Sequence, residues 1–255
     1  MAGQDPLPDG MGPLEDPGSF PPAVLDAAGS AAAMARLQEF AALLVREGDV
    51  RGLIGPRELP RLWSRHIVNS MAVSGFVPEG ASVGDVGSGA GFPGLVLAIT
   101  RRDVTATLIE SMERRTAWLR DVTRWLELPN VEIVTARAEA LHGARTFDVV
   151  TARAVAALDR LAGWTLPLVG PGGSLVALKG ERAREELLAA ESALAEFGGG
   201  HARVEEVPSP LDGTLTRVVV VRREGRARRH SPEAPPLRED GQNRRKALGV
   251  DRRQV

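Results

Sequence analysis

Cysteine and tyrosine are both missing from the 255 residues, and lysine occurs only at Lys179 and Lys246. Without cysteine there are no disulfides, no thiolate metal sites and no mechanism that runs through a cysteine nucleophile. Histidine is scarce as well. His66, His142, His201 and His230 form no H-x-x-x-H or H-E-x-x-H pattern, so no metal is expected. No apolar run reaches the roughly 18 residues that a membrane span requires. The acidic, proline-rich start lacks the basic residues and apolar core of a signal peptide. The expectation is a cytoplasmic protein with no membrane contact.

What is present is ordinary for a globular chain: 43% hydrophobic and 25% charged residues, enough to bury a sizeable core. The formal charge of −1 hides an asymmetry, because the stretch from Arg222 onward holds 11 Lys and Arg against 5 Asp and Glu. Such a tail suits an anionic partner such as RNA, since cations release counterions from phosphates. A merely solvated tail is the competing reading. Residues 1–22 carry six prolines and four acids with no basic residue and read as a disordered leader. The organisation expected is therefore a leader (1–22), one domain (23–223, with a helical cap at 23–78 and a core at 79–223) and a disordered basic tail (224–255).

The chain is organised around Val83-Gly84-Asp85-Val86-Gly87-Ser88-Gly89-Ala90-Gly91-Phe92-Pro93-Gly94. An apolar run ending in an acid, then alternating glycines, then an apolar segment of helical spacing describes a first strand feeding a tight turn and a helix in an open α/β sheet. Glycines permit positive φ and let a ligand approach the backbone closely. Gly89, Gly91 and Gly94 also satisfy the G-x-G-x-x-G spacing of a dinucleotide fold. Asp85 ahead of the glycines makes the stretch resemble instead the first motif of S-adenosylmethionine-dependent methyltransferases. That cofactor carries no pyrophosphate, so its methionine end can use loop N–H groups while a carboxylate handles its ammonium.

Before the loop, residues 23–46 show helical spacing, and a second helix is expected from Arg57 to Gly75 with Leu62, Trp63, His66, Ile67 and Met71 on neighbouring turns. His66 beside Trp63 reads first as a hydrogen-bonded packing residue and second as a functional one. After the loop, strands are expected at 82–86, 104–109, 131–134, 147–151, 174–178, 202–207 and 214–222, with helices between. Glu110, just past the second strand, lies near the offset at which an acid meets a ribose diol. The helix 111–126 is expected to bury Met112, Leu119, Val122 and Leu126 and to pack Trp118 and Trp125 into the core. It presents Arg114, Arg115, Arg120 and Arg124, either as a solvated face or as an RNA contact. Arg137-Ala138-Glu139 follows the third strand, where loops line the crevice. Lys179, the one lysine before the tail, ends the fifth strand, where a compact ammonium can hold a carboxylate, phosphate or base oxygen; chance placement is the alternative.

Taken together, Arg65-His66 with Ser70, the Asp85–Gly94 loop, Glu110-Ser111, Arg137-Ala-Glu139, Thr151-Ala-Arg-Ala154 and Ala177-Leu-Lys-Gly180 resemble the RsmG family, also called GidB. The resemblance runs in order from about Ala31 to Arg223. It implies a Rossmann-like class I methyltransferase fold, a mostly parallel seven-stranded sheet with helices on both faces and an N-terminal helical cap. It also implies transfer of a methyl group from S-adenosylmethionine to guanine N7 of bacterial 16S rRNA, in the small ribosomal subunit or its RNA; a monomer is expected. Carried over position by position, cofactor contacts fall on Gly87, Phe92, Ala138, Glu139 and Arg153, joined by Asp85, Gly89, Gly91 and Glu110 from the loop and second strand. Two positions depart from the family pattern: Asn69 stands where Asp is common, and Gly52-Leu53-Ile54-Gly55 replaces an Asn-Leu-Thr segment.

Guanine N7 has a lone pair and no proton to lose, so its methylation needs alignment and charge placement rather than a general base. Arg153 and Lys179 are the positioning and electrostatic candidates, since Arg or Lys reads the N7 and O6 edge of guanine. Arg65, His66, Arg114, Arg115 and Lys179 are the RNA-contact candidates. A nucleotide-dependent oxidoreductase using Gly89, Gly91 and Gly94, and a ribosome assembly factor that binds the cofactor without turnover, are the alternatives.

Overall fold

The computed structural model describes Phe20 and residues 22–225; the rest of the expected leader (1–22) and of the expected tail (224–255) falls outside the described residues, and Pro22, placed in the leader from sequence, opens the first helix. Five parallel strands, β1 (Ser82–Val86), β2 (Thr105–Glu110), β3 (Val131–Thr135), β4 (Phe147–Arg153) and β5 (Val169–Lys179), are followed by β6 (Gly199–Pro208) and β7 (Leu215–Arg223). The spatial order is β3-β2-β1-β4-β5-β7-β6, with β7 antiparallel to both β5 and β6. Chain order reverses between β1 and β4, which opens a crevice at the carboxyl ends of the parallel strands.

Burial on both faces explains the near-continuous apolar character of the central strands. Val149, Val176, Val218 and Val220 pack on one face, and Val150, Leu175, Ala177, Val219 and Val221 on the other. The first face is covered by α4 (Gly94–Thr100), α5 (Glu113–Trp125) and the N-terminal helices. The second is covered by α6 (Leu158–Thr165) and α7 (Ala183–Glu196). Among the N-terminal helices, α1 (Pro22–Ala28) precedes α2 (Ala31–Glu47), which starts at Ser30, whose hydroxyl accepts from Ala33 N at 3.1 Å. The α2 stripe Leu37, Phe40, Ala41 and Leu44 packs into the cluster that also holds Leu95, Ile99, Trp118 and Leu119.

Several expectations change. The single helix expected over 57–75 is a composite: a 3₁₀ turn at Leu59–Arg61, a π-helical stretch at Leu62–Val68, a short α3 (Asn69–Met71) and a 3₁₀ turn at Ser74–Phe76. The π spacing widens the turn around Arg65 and His66, and such widened turns recur at functional sites. Met112 is exposed, because α5 starts one residue later and Met112 is still in extended backbone. Trp118 is in the core, but Trp125 is 61% exposed at the end of α5, its indole donating to Glu39 Oε1 at 2.6 Å. The strand β5 starts at Val169, five residues before the expected start at 174, so Pro171-Gly172-Gly173 is part of it, across a register shift opposite Phe147 and Val149. Among the described residues, no helix is long and apolar enough to cross a membrane.

Candidate functional site: two cavities at the crevice

The glycine loop is held from three directions. Gly87 N donates to Ile109 O at 2.8 Å, joining the loop to the end of β2. Trp118 Nε1 donates to Ala90 O at 3.0 Å, joining it to α5. Glu110 accepts from Gly89 N through Oε2 at 3.1 Å and from Met112 N through Oε1 at 2.9 Å, while Arg115 Nη1 stands 3.6 Å from Oε2. Gly87 has φ +72° and lies so close to Val155 that a Cβ would meet its Cγ2 at 2.8 Å. A side chain there is strained in backbone and in space.

Asp85, at the end of β1, has no exposed surface. Its Oδ2 accepts from Gly94 N at 3.1 Å, whereas Oδ1 has no partner. Burial pushes the carboxyl up to about 7, against the opposing pull of the Gly94 amide and the Arg153 charge. A Cβ on Gly94 would sit 2.6 Å from Oδ2, so glycine at the first turn of α4 is what lets the strand acid and the helix meet.

Two cavities flank this loop. The first, about 250 Å³, is lined by Gly87, Glu110, Ala138, Glu139, Val155 and Trp164, among others. It has a buried acid at a strand end, apolar walls and an indole, a combination of one acceptor and flat apolar surface that suits a nucleoside. The second, about 550 Å³, is lined by Glu58, Arg65, His66, Asn69, Arg153, Lys179 and Glu186, among others. The strip Arg153–Ala156 separates them: Val155 lines the first, and Arg153, Ala154 and Ala156 line the second. Ala154 takes φ +54°, a left-handed conformation unusual for a residue with a side chain, as the chain leaves β4.

Arg153 is anchored on three sides in the second cavity. Its Nη2 donates to His66 Nδ1 at 2.9 Å and its Nη1 to Arg65 O at 3.2 Å, and its Cζ lies 4.6 Å from the centre of the Phe92 ring. Burial lowers it to about 10, against the opposing charge of Asp85. His66 also contacts Glu58, Nε2 to Oε2 at 3.1 Å. Lys179 Nζ donates to Ala156 O at 2.7 Å and to Glu186 Oε2 at 2.8 Å. Asn69, one of the two departures, donates from Nδ2 to Thr216 Oγ1 at 2.8 Å and so ties the cap to β7.

Of the residues singled out from sequence, Gly87, Glu110, Ala138 and Glu139 line the first cavity, and Arg65, His66, Arg153 and Lys179 line the second. Asp85, Gly89 and Gly91 form the loop and its footing, and the Phe92 ring is buried beneath Arg153 rather than lining the first cavity. Arg114 is exposed, whereas Arg115 is half-buried against Glu110, a placement that supports the acid. Sequence reasoning missed Glu58, Val155, Trp164 and Glu186. Glu58 is eight residues from His66 with no motif to join them; Val155 carries a signal in hindsight, because it follows Thr151-Ala-Arg-Ala154 directly.

Comparison with known proteins shows the family. Residues 33–212 match the family model GidB, described as rRNA small subunit methyltransferase G. The protein named ribosomal RNA small subunit methyltransferase G from Nocardioides sp. is 48% identical over 227 residues, covering 88% of this chain and 91% of that one. The protein of the same name from Beutenbergia cavernae is 52% identical over 183 residues (72% and 86%), and that from Streptomyces coelicolor is 48% identical over 212 residues (81% and 88%).

Proposed function

The chain belongs to the rRNA small subunit methyltransferase G family, and from that premise we propose that it methylates guanine N7 in 16S rRNA with S-adenosylmethionine as donor. The observation that carries this reading is the pair of cavities on either side of the Arg153–Ala156 strip, one shaped for a nucleoside and one lined by fixed cations. When bound, the donor supplies an electrophilic methyl group on its sulfonium. Glu110 is suited to the ribose diol, Ala138 and Glu139 to the adenine, and the glycine loop to the methionine end, with Asp85 acting from beneath the loop through its bond from Gly94 N.

On the acceptor side the chain positions charge and performs no proton transfer, because guanine N7 has no proton to give up. Arg153 keeps its plane by lying on Phe92, and only two of the five guanidinium donors are used in the bonds described above. The remainder are available to the N7 and O6 edge, where Arg is a strong reader of guanine. Lys179 uses two of its three donors on Ala156 and Glu186, which leaves one for the base or a phosphate. Arg65 and Arg114 are exposed cations that suit RNA phosphates. The N7 edge of guanine cannot be reached in the deep major groove of an A-form helix, so the target is an unpaired or splayed nucleotide. Action as a monomer in the cytoplasm on the small ribosomal subunit or its RNA, by one catalytic unit spanning 23–223, completes the proposal.

The test is incubation of the purified protein with methyl-labelled S-adenosylmethionine and small subunits, or their RNA, from a strain lacking the gene. Label in 7-methylguanosine beyond one equivalent of protein is the expected result. Donor binding with no labelled nucleoside would refute the activity and favour the assembly-factor alternative, and binding of NAD(H) in its place would refute the cofactor.

A further inference from the structure

Glu58 lies in the segment leading into the N-terminal turns, distant in sequence from the glycine motif, and it closes a continuous chain of contacts along the wall of the second cavity. Its Oε2 is 3.1 Å from His66 Nε2, and His66 Nδ1 is 2.9 Å from Arg153 Nη2. The chemistry of the three groups fixes the direction of both bonds. A guanidinium can only donate, so Nδ1 must present its lone pair. A neutral imidazole then carries its proton on Nε2, where the Glu58 carboxylate accepts it. The ring is thus held from both edges, while its face is tilted against Phe92 with centroids 5.4 Å apart.

We propose that Glu58 and His66 are positioning residues for Arg153: the carboxylate orients the imidazole, and the Nδ1 lone pair holds the guanidinium over Phe92 in the posture that methyl transfer requires. This rests on the methyltransferase reading above. The charged groups around the imidazole are Glu58 from the preceding segment, Arg65 from its own turn and Arg153 from β4, with Asp85 beyond Arg153. Protonation of His66 would turn Nδ1 into a donor facing a cation and break the chain at its centre. Burial and the Arg153 charge hold the imidazole below its ordinary value, and Glu58 opposes them. The neutral form therefore prevails at neutral pH, and loss of Glu58 lowers the titration further.

Positional isosteres of the imidazole test the chain. In His66→Asn the side-chain oxygen stands where Nδ1 was and still accepts from Arg153. In His66→Gln the amide stands where Nε2 was and leaves Arg153 without its acceptor. Glu58→Ala is expected to lower kcat about tenfold or more, the scale of a displaced positioning group, with donor affinity retained. Glu58→Gln, whose amide oxygen can accept from Nε2–H, recovers most of that loss. His66→Asn should retain about ten times the kcat of His66→Gln, and Glu58→Ala added to His66→Asn should cost nothing more. Equal activity of the Asn and Gln variants, or the same cost of Glu58→Ala in both backgrounds, would overturn the proposal.

A readout independent of turnover separates this from the parent reading. The chain has four histidines, so the ¹⁵N-labelled imidazoles can be followed individually by NMR. The His66 titration should move down in Glu58→Ala and up in Arg153→Ala, with thermal unfolding showing that both variants fold. If neither moves the titration, the contacts are absent in solution and the proposal fails even if the wild type methylates. If both move it while the wild type transfers no methyl group, the reaction assigned above fails and the chain of contacts stands.

Discussion

Replacing Asp85 with asparagine is expected to stabilise the protein at pH 8 and to leave it no more stable at pH 5. Asp85 is completely buried and one of its two oxygens has no hydrogen-bond partner, so ionising it in the fold is unfavourable. Its folded value of about 7 stands about three units above the ordinary value of 3.8, and at about 1.4 kcal/mol per unit the ionised folded form carries a cost of about 4 kcal/mol. The sign follows from proton counting. Between about pH 4 and 7 the folded chain keeps a proton that the unfolded chain has released, so stability falls as pH rises through that window and levels off above it. Asparagine keeps an oxygen for the Gly94 amide but places a buried N–H₂ where Oδ1 had no partner, returning about 1–3 kcal/mol of the gain. The net expectation is a gain of about 1–3 kcal/mol at pH 8 that shrinks to nothing or reverses by pH 5. Urea unfolding of both proteins at pH 5, 6, 7 and 8, without donor, reads this directly. Parallel stability curves for the two proteins across that range would show that burial does not govern Asp85.

Trp118→Phe removes the indole bond to Ala90 O and should cost about 1–2 kcal/mol in urea unfolding, with faster hydrogen exchange across residues 87–92. Arg153→Lys keeps the charge but loses the planar group that spans Phe92, His66 and Arg65. Single-turnover methyl transfer should fall about ten- to a hundredfold, and full activity would show that charge alone suffices. Leu37→Ala in α2, at a position with no exposed surface, should cost about 2–5 kcal/mol, measured as a shift in urea midpoint. Deletion of the residues after Arg223 should weaken RNA binding and flatten its dependence on salt, and unchanged binding at two salt concentrations would dismiss a role for the tail.

The parts of the molecule that were legible are those in which local pattern and tertiary placement coincide. The run 82–86, the glycines and the apolar helix Gly94–Thr100 appear where their residues predict, because a strand buried on both faces, a turn that needs positive φ and a buried helix each leave a strong local mark. The closing antiparallel pair β6 and β7 was legible for the same reason. The π-helical stretch was not, since one residue of extra hydrogen-bond spacing leaves almost no trace in an apolar pattern of 3.6. Trp125 follows the helical spacing of a core residue, but its position at the end of α5 turns it to Glu39 and solvent. Arg115 was read as a surface cation because sequence says nothing of Glu110 lying against it. Glu58 is the clearest case: its partner is eight residues away, and the group it ultimately serves is on β4. The glycine loop and second-strand acid could thus be placed from sequence, whereas the supports of the second cavity, built from the N-terminal turns, could not.

The strip Arg153–Ala156 lines a different cavity on each side. A shift of Val155 that widens one room is a shift of its neighbours into or out of the other, and the left-handed Ala154 is the joint at which the wall turns. Two ligands that favour different settings of the same partition have linked affinities. Whatever free energy the first contributes to seating the second, the second returns to the first, so a bound nucleobase tightens or loosens the grip on the donor by the same factor that the donor exerts on it. The order in which the two arrive then carries no thermodynamic weight, and discharge of one side registers at once as a changed fit on the other.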